Sequence, residues 1–145
     1  MKDLLNQYQW NSLRIRLRSF EEGLRHALEW LDGYEEDGVL YSRKLILSEK
    51  NRKQAQQEIR YALDKIAKIS RLLDMPKETE NPASLVRGEM TVSWADLMDS
   101  RARKLGRYGK VHPELSDELD PQIEKLAETA RNLSAIFGES QQEKP

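Results

Sequence analysis

The sequence predicts an all-α protein, an antiparallel bundle of about four helices spanning roughly 3–32, 45–74, 93–105 and 121–137. Three observations carry that prediction. Apolar residues recur at steps of three and four along most of the chain, the period of one helical face. Glycines, prolines and Asp-Gly pairs fall where those stripes stop, as helix ends require. Apolar residues make up 38% and charged residues 34%, with a mean hydropathy of −0.80. Helices with a narrow apolar stripe and a charged outer face give this composition.

The first stripe runs Leu13, Leu17, Phe20, Leu24, Ala27 or Leu28, and Leu31, and Asp32-Gly33 stops it. The strict alternation Leu13-Arg14-Ile15-Arg16-Leu17-Arg18 also fits a half-buried strand, but the helical period continues well past it. Residues 32–42, with two Asp-Gly pairs and an acidic run, read as a loop. The second helix starts near Ser42 or at Ser48, where a serine can cap it. Its clear stripe is Ile59, Ala62, Ile66, Ile69 and Leu73, and Pro76 closes it.

The segment 76–84 reads as an internal linker within a single 1–145 domain. A third helix is expected from Ser93, with Ser93 and Asp96 as a capping box and Trp94, Leu97, Met98, Ala102 and Leu105 as its apolar face, and residues 85–90 could add a short turn of helix before it. Asp120-Pro121 reads as an N-cap followed by proline at the first helical position. The fourth stripe is Ile123, Leu126, Ala130, Leu133 and Phe137, with a frayed tail over 139–145. Phe20, Trp94 and Phe137 are expected in the core, whereas Trp30, Tyr8 and Trp10 could widen it, close its end or face a partner.

Composition excludes several chemistries. Without cysteine there are no disulfides, thiol nucleophiles or cysteine-ligated metals. A net charge of −1 gives no bulk attraction to nucleic acid or to an anionic membrane. No signal-peptide pattern opens the chain and no apolar run reaches membrane-spanning length, so a cytoplasmic location with no membrane partner is expected. Phosphate-binding loops and Gly-x-Ser-x-Gly contexts are absent. Glu22, His26 and Glu29 share one face of the first helix, a spacing carboxylate-rich metal bundles use. They read more economically as surface charges in the i, i+4 pairs Arg18–Glu22, Glu21–Arg25 and Arg25–Glu29. No cofactor, metal or small-molecule substrate is expected, and the residues do not fit an ordinary metabolic enzyme.

The most distinctive local feature is the block 101–112, which carries Arg101, Arg103, Lys104, Arg107 and Lys110 without an acid, beside Tyr108 and His112. An acidic stretch follows, with Glu114, Asp117, Glu118, Asp120 and Glu124. The block either neutralises that stretch and complements a helix C-terminus, or presents a patch for phosphate, RNA or an acidic partner. A second basic stretch, Arg43 to Arg60, reads either as solvated helix surface or as a docking face for RNA or an acidic protein. Arg107 and His112, with four residues between them, resemble the Arg–His motif of the HEPN superfamily. That resemblance implies a small helical fold and RNA cleavage at a composite site shared by two subunits. Tyr108, Gly109 and Pro113 depart from the polar residue and helix edge typical of that motif. Taken together, the sequence leads to a non-enzymatic module that oligomerises with itself or docks on another protein. An RNA-binding or RNA-cleaving protein using Arg107 and His112 is the alternative.

Overall fold

A computed structural model of the chain describes residues 4–139; the expected frayed tail lies, but for Glu139, outside them. The fold is all-α but for one two-stranded hairpin, and its four long helices form two antiparallel pairs. The chain divides between Glu78 and Thr79 into two compact units, inside the 76–84 segment.

In the first unit, α1 (Gln7–Leu31) and α2 (Glu49–Leu72) are joined by a hairpin of β1 (Glu35–Asp37) and β2 (Ser42–Lys44). Helix α1 begins later than position 3 because Asn6 and Gln9 form a capping box, each side chain accepting the other residue's backbone N–H at 2.9 Å. Ser48, rather than Ser42, caps α2 by accepting the Asn51 N–H at 3.1 Å. Both helices end in the same way. Gly33, at φ +99, and Asp74, at φ +51, adopt left-handed conformations. Tyr34 then donates to the Glu29 carbonyl and Met75 to the Ser70 carbonyl, the six-to-one bond of a Schellman motif.

Two side chains lock the ends of this pair. Trp10 Nε1 donates to the Leu73 carbonyl at 2.9 Å, so the start of α1 satisfies the end of α2. At the other end, Arg52 donates to the Leu31 carbonyl, where a cation also meets the negative end of the helix dipole. Arg14 stacks over Trp10 at 5.6 Å and pairs with Glu78 at 3.5 Å. Between these locks Leu31, Ile59 and Leu73 are buried, while Leu13, Leu17, Leu24 and Leu28 are half-buried. Phe20, expected in the core, is 54% exposed, because one seam between two helices covers only the centre of a stripe.

The loop expected over 32–42 contains a strand. Glu35 pairs with Lys44, Glu36 with Arg43 and Asp37 with Ser42 in antiparallel register. Three acidic or polar residues facing a polar, basic strand give no apolar alternation for sequence reading to find. Cross-strand ion pairs, Lys44–Glu35 at 3.6 Å and Arg43–Glu36 at 3.5 Å, accompany the backbone pairing.

In the second unit, α3 (Ala83–Met98) packs closely along α5 (Leu115–Glu139), with the short α4 (Ala102–Leu105) and a 3-10 turn (Gly106–Tyr108) between them. Helix α3 starts ten residues before Ser93. Asn81 Oδ1 accepts the Ala83 N–H at 3.1 Å and Pro82 is tolerated at the helix start, so a dipeptide that reads as linker initiates a helix. Ser93 and Asp96 lie inside it and form no cap. The helix stops at Met98, and the predicted 93–105 segment is broken at Asp99–Arg101 before α4.

Asp120 has a different role from the one its neighbour Pro121 implies. Helix α5 begins at Leu115 and carries Pro121 inside it. Asp120 Oδ1 instead accepts the Ala102 N–H at 2.7 Å, capping α4 from a distant part of the chain. Small residues let α3 and α5 approach: Ala83, Ala102, Ala127 and Ala130 are buried. The hydroxyls of Thr91 and Ser134 lie 2.9 Å apart, and both reach the Arg87 carbonyl.

Candidate interaction surfaces

The basic block at 101–112 is distributed over a short turn. Arg101 donates to the Met98 carbonyl at 3.0 Å and lies 3.9 Å from Glu124. That ion pair joins the basic block to the acidic approach of α5, as the charge-neutralising reading expects at this position. Arg107 donates to the Lys104 carbonyl at 3.1 Å and stands 5.7 Å over the Tyr108 ring. Arg103, Arg107, Tyr108 and Lys110 are exposed, and Lys104 is half-buried. His112 is exposed, and its Nδ1 accepts the Glu114 N–H at 3.2 Å. Arg107 and His112 therefore engage different partners on either side of Gly109, whose φ is +151, and no hydrogen bond joins them.

On α1, Arg18 pairs with Glu22 at 3.1 Å and Arg25 with Glu21 at 2.9 Å, while Arg25 takes Glu21 and not Glu29. No group of three or more His, Asp or Glu placed to hold a metal ion occurs among the described residues. No polar or charged side chain among them is buried, and no helix among them is long and apolar enough to cross a membrane. A depression of about 190 Å³ lined by Leu5, Gln7, Trp10 and Asp74 falls below the several hundred Å³ typical of small-molecule sites.

Apolar surface is the prominent feature. The β1–β2 turn displays Val39 and Leu40, 100% and 95% exposed, with Ile46 and Leu47 exposed just beyond β2. Gly38 closes this turn by donating to the Tyr41 carbonyl at 2.9 Å. The Tyr41 hydroxyl donates to Glu36 at 2.7 Å, and Arg43 stands 4.9 Å over its ring. The hydrogen bond to the Glu36 carboxylate, with that group's negative charge, pushes the Tyr41 phenol above its usual range. On α1, Tyr8 and Ile15 are exposed on the face away from the seam. Trp30 is half-buried, edge-to-face with Tyr34 at 5.0 Å.

Helix α5 carries two adjacent apolar faces. One, formed by Ile123, Ala127, Ala130, Ser134 and Phe137, is buried or half-buried in the unit containing α3. The other runs Leu115, Leu119, Gln122, Leu126, Thr129, Leu133 and Ile136, at alternating steps of four and three. Leu126 is 54% and Ile136 59% exposed, and Leu115 is exposed as well. Leu126 and Leu133, expected on the core stripe of this helix, belong to this second line. The signal for a second line was the leucine at every seventh position, 119, 126 and 133, the repeat of a coiled-coil seam.

Helix α3 adds a related feature. Its apolar residues surround it without a preferred side, and Leu85 and Val92 stand exposed while Val86, Met90 and Leu97 are half-buried. A helix that is apolar all round normally has neighbours on more than one side.

Comparison with protein-family models, with curated proteins and with solved structures finds no match to this chain.

Proposed function

We propose that this protein is a non-enzymatic interaction module, a pair of helical hairpins that oligomerises or docks onto another protein. The observation that carries the reading is the α5 line of Leu115, Leu119, Leu126, Leu133 and Ile136, interspersed with Gln122 and Thr129, which is left partly open to solvent beside the face packed with α3. Apolar side chains aligned on one face differ from scattered exposed ones, because removing them together from water drives association. Exposed Leu85 and Val92 on α3 and Tyr8 and Ile15 on α1 extend the same supply of contact surface to other faces.

Cross-linking of the tagged full-length chain in cells, with a short amine-reactive reagent, tests this reading. Discrete adducts, either with itself or with one other protein, are expected. Leu126→Glu or Ile15→Glu removes them while leaving the unfolding midpoint of the purified chain unchanged within a few degrees. Recovery of uncross-linked monomer alone, at native expression level, overturns the reading.

A further inference from the structure

We infer that the N-terminal half of the open α5 face, Leu115 to Leu126, is occupied by the same segment of a second copy of this chain, running antiparallel about a two-fold axis between Leu119 and Gln122. This rests on the interaction-module reading and specifies its partner. In a seven-residue repeat, Leu119, Leu126 and Leu133 take one core position and Leu115, Gln122, Thr129 and Ile136 the other. Charged residues flanking such a seam select partner and orientation. The outer flank of this seam holds Glu118 and Lys125, one acid and one base seven residues apart.

Antiparallel pairing about that axis sets Glu118 of each copy against Lys125 of the other, giving two complementary contacts from one sequence. The same register packs Leu115 against Leu126 and Leu119 against Gln122, each twice. An in-register parallel pair instead places Glu118 opposite Ile123, on the flank already turned towards α3, and leaves both charges unmatched. A two-fold interface needs a surface that complements itself, and the Glu118–Lys125 spacing supplies that property.

The absence of cysteine makes a direct test available in the full chain. Differently tagged Leu119→Cys and Gln122→Cys proteins are mixed in equal amounts and oxidised gently. The mixed disulfide is expected to exceed either homotypic product several-fold, since cross-linking requires the two Cα atoms within about 7 Å. Glu118→Lys and Lys125→Glu, each added to both partners, are expected to lower its yield several-fold, and the two together to restore it. Leu126→Glu is expected to abolish it, with circular dichroism confirming that the variant retains its helices.

Predominant homotypic Leu119→Cys cross-links, which mark a parallel pair, overturn the proposal. So does a charge reversal that is not rescued, or a mixed yield no higher than that of Ser12→Cys on exposed α1. These outcomes leave the broader reading separately testable. Adducts with a different protein in cells preserve the module while removing this partner, whereas the absence of any adduct removes both.

Discussion

The two helical pairs are held together by different means. In α1–α2, large side chains line the seam, and hydrogen bonds at its ends tie each helix to the other's terminal carbonyl, Trp10 to Leu73 and Arg52 to Leu31. In α3–α5, alanines and hydroxyls line the seam and the backbones come closer along their length. The first pair depends on polar contacts at defined points. The second depends on shape, and will tolerate little added volume. At Gly138 an added Cβ would stand 3.0 Å from Arg87 Cδ, so the exposed Arg87 side chain would have to move aside.

The largest expected effect therefore lies in the second unit. Ala127 is 2% exposed, and Ala127→Leu should destabilise that unit by about 2–3 kcal/mol, as overpacking does in closed seams. Hydrogen exchange should show the loss in α3 and α5 and spare the amides of α1 and α2; uniform loss would remove the distinction between the pairs. In the first unit, Arg52→Ala should cost about 2 kcal/mol, the scale of a charge-assisted hydrogen bond to a helix end. Denaturant unfolding followed by the fluorescence of Trp30 and Trp10 reports it, and an unchanged midpoint would show that the end lock contributes nothing.

Gly33→Ala should destabilise α1's terminus by about 1–2 kcal/mol, since a side chain at positive φ strains the turn. Pro121→Ala should act in the opposite direction, stabilising α5 by about 1 kcal/mol by restoring a backbone donor within the helix. Thermal scans of the two variants should shift in opposite senses.

The smallest effect concerns the hairpin. Because the Tyr41 phenol titrates above its ordinary value, its hydrogen bond to Glu36 is intact below the usual tyrosine range. Its contribution is lost as pH rises through the higher folded value. In an alkaline titration followed by phenolate absorbance, Tyr41→Phe should remove a late component and Glu36→Gln should move it to lower pH. A late component that survives Tyr41→Phe would assign it elsewhere.

Legibility in the sequence followed the same physical division. The Leu13–Leu31 and Ile59–Leu73 stripes place α1 and α2 because large apolar residues recur at the helical period and Gly33 marks an end. The Asn6–Gln9 box and Ser48 cap were equally present, and fix the true starts within a few residues. In the second unit the signals conflict. Helix α3 has no preferred apolar side, so periodicity cannot delimit it, and Asn81-Pro82 reads equally as linker or helix start. Asp120-Pro121 has the form of an N-terminus, yet tertiary contact sends Asp120 to Ala102 and local chemistry does not reveal that.

Surface features divided likewise. The positive block at 101–110 stands out in one dimension, but Arg101 bonds the Met98 carbonyl beside Glu124 and Arg107 bonds the Lys104 carbonyl. The α5 seam was less conspicuous, because Leu126 and Leu133 fit a stripe facing α3 almost as well as one facing outward. Separating the two faces needs knowledge of where α3 lies, and only packing supplies it.

Sedimentation equilibrium of the unmodified full chain, over a wide concentration range, tests the proposed self-association most directly. A reversible rise from 16.9 kDa to twice that mass, abolished by Leu126→Glu and unaffected by His112→Ala, is the expected result. A single 16.9 kDa species at every concentration, or a dimer indifferent to Leu126→Glu, would contradict pairing through α5.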